Sequence, residues 1–182
     1  MNVLVGIDYS ITCPCLCIHR GDSFSYNNCE FHFLIDKKKF EGKVLNQNIT
    51  GHLHKIWKTT EERFDQISDW AISLIPKESK VFLEGYSYGS KASMIFNISE
   101  CTGLLKYKLY KNNLQVELVP PTTVKKHFSG KGNARKEVMV EVFLKTVNSN
   151  IMKDININRI MSPLTDIVDS YAIAHYGVNK TT

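Results

Sequence analysis

Three strand-length apolar runs stand in a row at the start of this chain, and helical and strand-length patterns then take turns to its end. Val3 to Asp8 is an apolar run closing on Gly6-Ile7-Asp8, which reads as a buried strand ending in an acid. Cys15 to His19 and Phe31 to Ile35 follow as second and third strands, with a turn at Gly21-Asp22. Strands this close together form an antiparallel meander. The later alternation adds parallel strands through helical crossovers.

The first helical pattern carries Phe64, Ile67, Ala71, Leu74 and Ile75 on one stripe. It opens on Thr59-x-x-Glu62, a capping-box pattern, and stops at Pro76. Val81 to Glu84 reads as a fourth strand, again ending in an acid. Ala92 to Tyr110 reads as a helix with Met94, Ile98, Cys101 and Leu105 on one side. Leu114 to Val119 is a fifth strand, stopped by Pro120-Pro121, and Thr122 to Phe128 a short helix. Asn133 is placed to cap a helix through Val138, Val142 and Val147. After a polar linker, Ser162 as cap and Pro163 at the first position start a last helix, from about Leu164 to Gly177. Lys37 to Lys58 is polar, with glycines at 42 and 51, and reads as a long loop. The expectation is α/β: a five-stranded mixed sheet, three antiparallel strands first, flanked by helices. Nothing marks a linker, so residues 1–182 are read as one domain.

A chain of 182 residues, 43% hydrophobic and 23% charged, can bury a full core. No apolar run reaches the roughly 20 residues that span a bilayer. The N-terminus lacks the charged start of a secretory signal, so the expected location is the cytoplasm and no membrane is involved. The net charge of +5 leans towards a polyanionic partner. Five cysteines, an odd number, argue against a disulfide framework. Cys13, Cys15 and Cys17 alternate, which puts them on one strand face. Their spacing does not match a zinc site, and reduced thiols packed beside the core are expected.

The residues that carry chemistry are acids. Asp8 and Glu84 sit at the carboxyl ends of strands, where α/β sheets gather their sites. Asp166 and Asp169 are three apart in the first turns of the last helix, hence on one face and near its positive end. Carboxylate oxygens are the ligands Mg²⁺ prefers, and four gathered without a cation would repel one another. Two such ions can stabilise both the attacking and leaving oxygens of phosphoryl displacement. Taken singly, an acid after a short strand or an acid pair at a helix start is commonly a solvated feature. The argument rests on their joint placement.

A basic segment lies between the acids in sequence. Lys125, Lys126, His127, Lys131, Arg135 and Lys136 surround a Ser129-Gly130-Lys131-Gly132 turn, a pattern suited to phosphate contact. Tyr86 and Tyr88 follow Glu84 and are placed to stack on unpaired bases, or equally to pack on the sheet edge. Lys37-Lys38-Lys39 reads as a solvated turn.

Four segments in order resemble the RuvC family of Holliday junction resolvases, within the RNase H-like superfamily. They are Gly6-Ile7-Asp8 with Ser10; Phe82-Leu83-Glu84; Val119 to Lys126 with Gly130-Lys131-Gly132 and Ala134-Arg135-Lys136; and Asp166 to His175. The resemblance runs from Val3 to Tyr176. It implies an RNase H-like fold, with Asp8, Glu84, Asp166 and Asp169 holding two Mg²⁺ ions, for which Mn²⁺ can substitute. It matches Lys125 and Lys136 to lysines near the scissile phosphate. The family's stacking aromatic falls at Ser87, between Tyr86 and Tyr88, a departure from the pattern.

The resemblance further implies a homodimer joined through the helix after the fourth strand, where Ala92, Ser93, Ser99 and Gly103 permit close approach. The implied activity is that of a crossover junction endodeoxyribonuclease. It would cut four-way junctions, forks and flaps by paired nicks, in DNA recombination and repair. Two rivals stand beside it: a ribonuclease acting on hybrid or structured RNA, and a protein that binds branched nucleic acid without cutting.

Overall fold

A computed structural model describes residues 3–46, 48–86, 92–148 and 151–181, with backbone alone for 42–46 and 92–94. Among the described residues seven strands form one mixed sheet in the order β4-β5-β3-β2-β1-β6-β7. β1 (Val3–Asp8), β2 (Cys15–Arg20) and β3 (Cys29–Ile35) make the expected antiparallel meander. β6 (Lys80–Glu84) and β7 (Gln115–Val119) extend it in parallel from β1.

The two further strands correct the sequence reading. β4 (Gly42–Asn46) and β5 (Ile49–Leu53) fold from the segment expected to be a loop, and a 3-10 turn, Lys38–Phe40, leads into them. β5 pairs in parallel with β3. Its strand character depends on that distant partner rather than on its own polar composition. Ile49 and Phe40 are its buried anchors. Gly51 is required by a close approach: a Cβ there would strike the Phe40 carbonyl oxygen and lie 2.8 Å from the Phe33 ring.

Six helices among the described residues cover the sheet: α1 (Thr60–Leu74), α2 (Ala92–Lys111), α3 (Pro121–Ser129), α4 (Lys136–Val147), the short α5 (Ile151–Asp154) and α6 (Leu164–Thr181). Thr59 caps α1 as its pattern predicts, accepting from the Glu62 N–H at 3.2 Å. The Glu62 carboxylate accepts from Lys58 N–H at 2.8 Å. Asn133 is not a cap, because Ala134 N–H closes a turn onto Lys131 and α4 begins after Arg135. Ser162 does not head α6 as a backbone cap. The Ser162-Pro163 bond is cis, and the Ser162 side chain hydrogen-bonds Asp166.

Strand alternation divides the core in two. On one side Leu4, Cys15, Cys17, Phe31, Phe33 and Phe82 pack under α6, α3 and α4, against Ile167, Tyr171, Val140 and Phe143. On the other, Val5, Ile7, Leu16, Ile18 and Leu83 pack under α1 and α2, against Phe64, Ile67, Leu105 and Leu109. Among the described residues no helix is long and apolar enough to cross a membrane.

The closest approach of α6 to the sheet sits at Gly6. A Cβ there would collide with the Ala174 backbone nitrogen and lie 2.5 Å from the Ser170 carbonyl oxygen. Only hydrogen lets α6 lie this close to β1. Gly6→Ala is therefore expected to destabilise the protein by about 2–3 kcal/mol, the upper part of the overpacking range. That is a fall of roughly 4–12 °C in Tm for a chain of this size. A thermal melt unchanged within 2 °C would show that the helix can shift freely, against this account.

Candidate metal centre and nucleic-acid interface

The register of the two parallel strands places the first pair of acids. Ile7 stands opposite Leu83, so Asp8 and Glu84 end neighbouring strands side by side. Both share the strand parity of Gly6 and Phe82, the face that α6 covers. Because α6 is held against Gly6, its first turns bring Asp166 and Asp169 over the same sheet end. Asp166 is only 7% exposed.

The electrostatics report a crowded cluster. Burial raises the Asp8 carboxyl well above the usual range, and Asp169, Glu84 and Asp166 push it further, in that order. Glu84 is raised to about 7, by burial first and then by Asp169. Asp169 is raised to about 6, by burial and by Asp166. Asp166 is raised least, because the Ser162 side chain, Lys136, the Cys13 thiol and its own backbone N–H favour its ionised form. Thr165 also lies 3.4 Å from its Oδ2. Each acid is thus felt by at least one other.

Two of the basic residues reach this cluster. Lys136, the first residue of α4, lowers all four acids, and Lys125 on α3 lowers Glu84 and Asp169. The turn between α3 and α4 sets them there. Gly130 adopts φ +79 and closes α3, its N–H donating to Lys126 O at 2.9 Å. Ser129 Oγ donates to Lys125 O at 2.8 Å. Lys126, Lys131 and Arg135 are exposed around the same turn.

Tyr86 stands at the other side, 38% exposed, on the wall of a cavity of about 410 Å³ that Asp8 and Glu84 also line. Tyr88 and Ser87 lie outside the described residues. Cys13, Cys15 and Cys17 are buried free thiols. Cys13 faces Asp166, and Ser170 Oγ donates to Cys15 Sγ at 3.3 Å. Sequence reasoning missed Arg63, which lines the cavity from the first turn of α1. Beside Glu61 and Glu62 it looks like one more solvated helix charge, and nothing local in the sequence says otherwise. It also missed Ser10 as an architect of the site: its Oγ accepts from Cys13 N–H at 3.0 Å and shapes the turn after Asp8.

Among the described residues, no three His, Cys, Asp or Glu side chains close a ready-made metal cage. The donor set nonetheless fits a hard divalent cation. Its members are carboxylates, each held at a cost by burial and mutual repulsion that bound positive charge relieves.

No family model matches the sequence, and no curated protein sequence matches it. The fold does have solved counterparts. It aligns with a Thermus thermophilus RuvC structure at a TM-score of 0.61 and 17% identity, covering 98% of this chain and 95% of that one. It aligns with T. thermophilus RuvC in complex with a Holliday junction substrate at 0.60 and 13%, covering 100% and 96%. The class is therefore an RNase H-like fold. Within it, the architecture is RuvC-like, over almost the whole length of both chains.

The raised carboxyls predict how stability follows pH. In the folded state Asp169 and Glu84 titrate above their ordinary values. Their protonated forms are favoured, and that advantage is lost as pH climbs from about 4 to about 7. In chelator, Asp169→Asn is expected to stabilise the protein at pH 8 by on the order of 1–2 kcal/mol, and by much less at pH 4.5. Added Mg²⁺ should raise the wild-type Tm more than the variant's. Equal effects of the substitution at both pH values would contradict the origin given for these shifts.

Proposed function

We propose that residues 1–182 form a single Mg²⁺-dependent endonuclease domain that resolves four-way DNA junctions and related branched DNA by paired nicks. The observation that carries this is the convergence of four carboxylates from β1, β6 and α6 with Lys125 and Lys136, on a RuvC-like fold. One of its structural neighbours is a RuvC bound to a Holliday junction.

In this reading Asp8, Glu84, Asp166 and Asp169 hold two divalent ions, Mg²⁺ or Mn²⁺. When bound, these would make water a better nucleophile and neutralise charge at the leaving oxygen. The chain's own residues do the rest. Lys136 and Lys125 approach from the α3–α4 side, where they meet charge that grows on the phosphoryl oxygens. Lys126, Lys131 and Arg135 extend that positive surface along the backbone of the DNA. Water attacks phosphorus, the bond to the 3′ oxygen breaks, and the products are a 5′-phosphate and a 3′-hydroxyl. The apolar packing under Asp8 and Glu84 keeps bulk water from the rear of the site.

Two nicks need two sites. Helix α2 leaves Phe96, Tyr107 and Tyr110 exposed at 68%, 59% and 76%. They lie seven, four and three apart around Gly103, whose Cβ position meets nothing within 4 Å. Residues at such spacings share one side of a helix. In a homodimer, a second copy laid on this stripe would bury it and set two sites facing opposite strands. Ser99 lies half-buried in α2, and the Ala92 and Ser93 side chains fall outside the described ones.

The test is a synthetic four-way junction with Mg²⁺. Paired symmetric nicks are expected. Asp169→Asn should lower cleavage by at least about 10³-fold while leaving junction binding within a few-fold. Lys136→Ala should cost about 10–100-fold in rate. Preferential cutting of linear duplex or of RNA–DNA hybrid would sink the junction assignment, and cleavage surviving Asp169→Asn would sink the ligand set.

A further inference from the structure

Away from the carboxylates, two histidines meet where β5 joins β3. His32 Nδ1 lies 3.1 Å from His52 Nε2, with the ring centroids 5.3 Å apart. The other nitrogen of His32, Nε2, lies 2.9 Å from Glu30 Oε1, and Arg20 Nη2 on β2 stands 4.0 Å from Glu30 Oε2. His32 is only 8% exposed. On the α1 side the Trp70 ring meets His52 edge-on at 5.7 Å. Asp69, beside Trp70, is paired with Lys108 of α2. The carboxylate site uses none of these groups.

The proton count of this contact sets its strength. With both rings neutral, His32 Nε2–H donates to Glu30, and His32 Nδ1 is left to accept from His52 Nε2–H. A first added proton leaves one N–H and one lone pair between the rings, and Glu30 balances its charge. A second puts an N–H on both sides of the 3.1 Å gap and sets two positive charges against each other. Neither ring can then accept, and so buried a pair has little water to turn to. His52 is held below its ordinary value, by burial first and then by His32. The neutral form is thus the one favoured in the closed contact. Its stabilising effect is present above about pH 6.5 and is lost as pH falls through the lowered value.

We propose that His32 and His52 form a proton-sensitive latch, which holds β5 to β3 while the pair carries at most one added proton and releases it on the second. The strand it holds is the one whose order depends most on a distant partner. β5 runs on into His54, whose Nε2 donates to Thr12 O at 3.1 Å, in the turn that follows Asp8. The latched strand therefore ends against the loop behind the first acid. The inference is independent of the nuclease reading.

Amide hydrogen exchange on the whole protein tests it, with protection factors taken between about pH 7.5 and about pH 5. Below about pH 6.5 the β5 amides are expected to lose protection by up to about tenfold per pH unit, the limit for one proton taken up on opening. The β2 amides, in the centre of the sheet, should change far less. His52→Gln supplies a side chain that can donate to or accept from His32 Nδ1 and cannot be charged, so it should remove the pH dependence. Wild-type β5 that loses no more protection than β2 overturns the latch. So does a His52→Gln protein whose β5 opens in acid as the wild type does. Imidazole nitrogen spectra of the wild type decide the matter without any variant. Two separate protonation steps, the second below about pH 6, are expected, and two rings titrating independently near pH 6.5 overturn the proposal.

Discussion

The contact between α6 and β1 governs the rest of the molecule. At Gly6 the helix backbone rests on the strand backbone with no side chain between them, and at Gly177 a Cβ would lie 2.6 Å from the Phe82 ring. Glycines at both ends of the contact fix the depth and tilt of the helix on the sheet. Asp166 and Asp169 are then carried to the sheet end where Asp8 and Glu84 stop. A helix standing one side chain further out would keep all four acids and lose their convergence.

That convergence is bought with stability. The cluster puts four carboxylates where burial already disfavours charge, and each raises its neighbours. The fold offsets part of the cost from three directions. Lys136 and Lys125 come from α4 and α3. The positive end of α6 lies under Asp166 and Asp169. Ser162 and Cys13 donate to Asp166. Asp166 therefore stays nearest its ordinary state, while Asp8 and Glu84, which lack such donors, are displaced further.

The sequence carried the parts of this that are local. Short apolar runs ending in Asp8 and Glu84 fold as strands ending in those acids, and the i,i+3 pair on the last helix lies on one face, as its spacing requires. What could not be read is non-local. β5 is a strand because β3 offers it a parallel edge and Phe40 covers it, and neither fact is written in Ile49–Leu53. Among the basic and aromatic candidates described around the site, Lys125, Lys136 and Tyr86 come to the acids, and Lys126, Lys131 and Arg135 stand exposed around the turn. Helix faces and turn geometry make that choice, and composition is blind to both. Arg63 is the converse case, a residue without a motif that the packing of α1 delivers to the cavity.

The two faces of the sheet divide the labour. The α6 face is close-packed around Tyr171, whose ring meets Phe24, Phe31, Phe128 and Phe143 at 4.9–6.2 Å, and this rigid aromatic block backs the helix that carries two acids. The α1–α2 face is anchored lower down, through Ile67, Ala71, Leu105 and Leu109, and opens towards the sheet end into the cavity that Arg63 and Tyr86 line. A site that must hold charged groups within a fraction of an ångström belongs on the first kind of surface. Asp8 and Glu84, at the ends of the adjacent strands β1 and β6, are the residues both faces share.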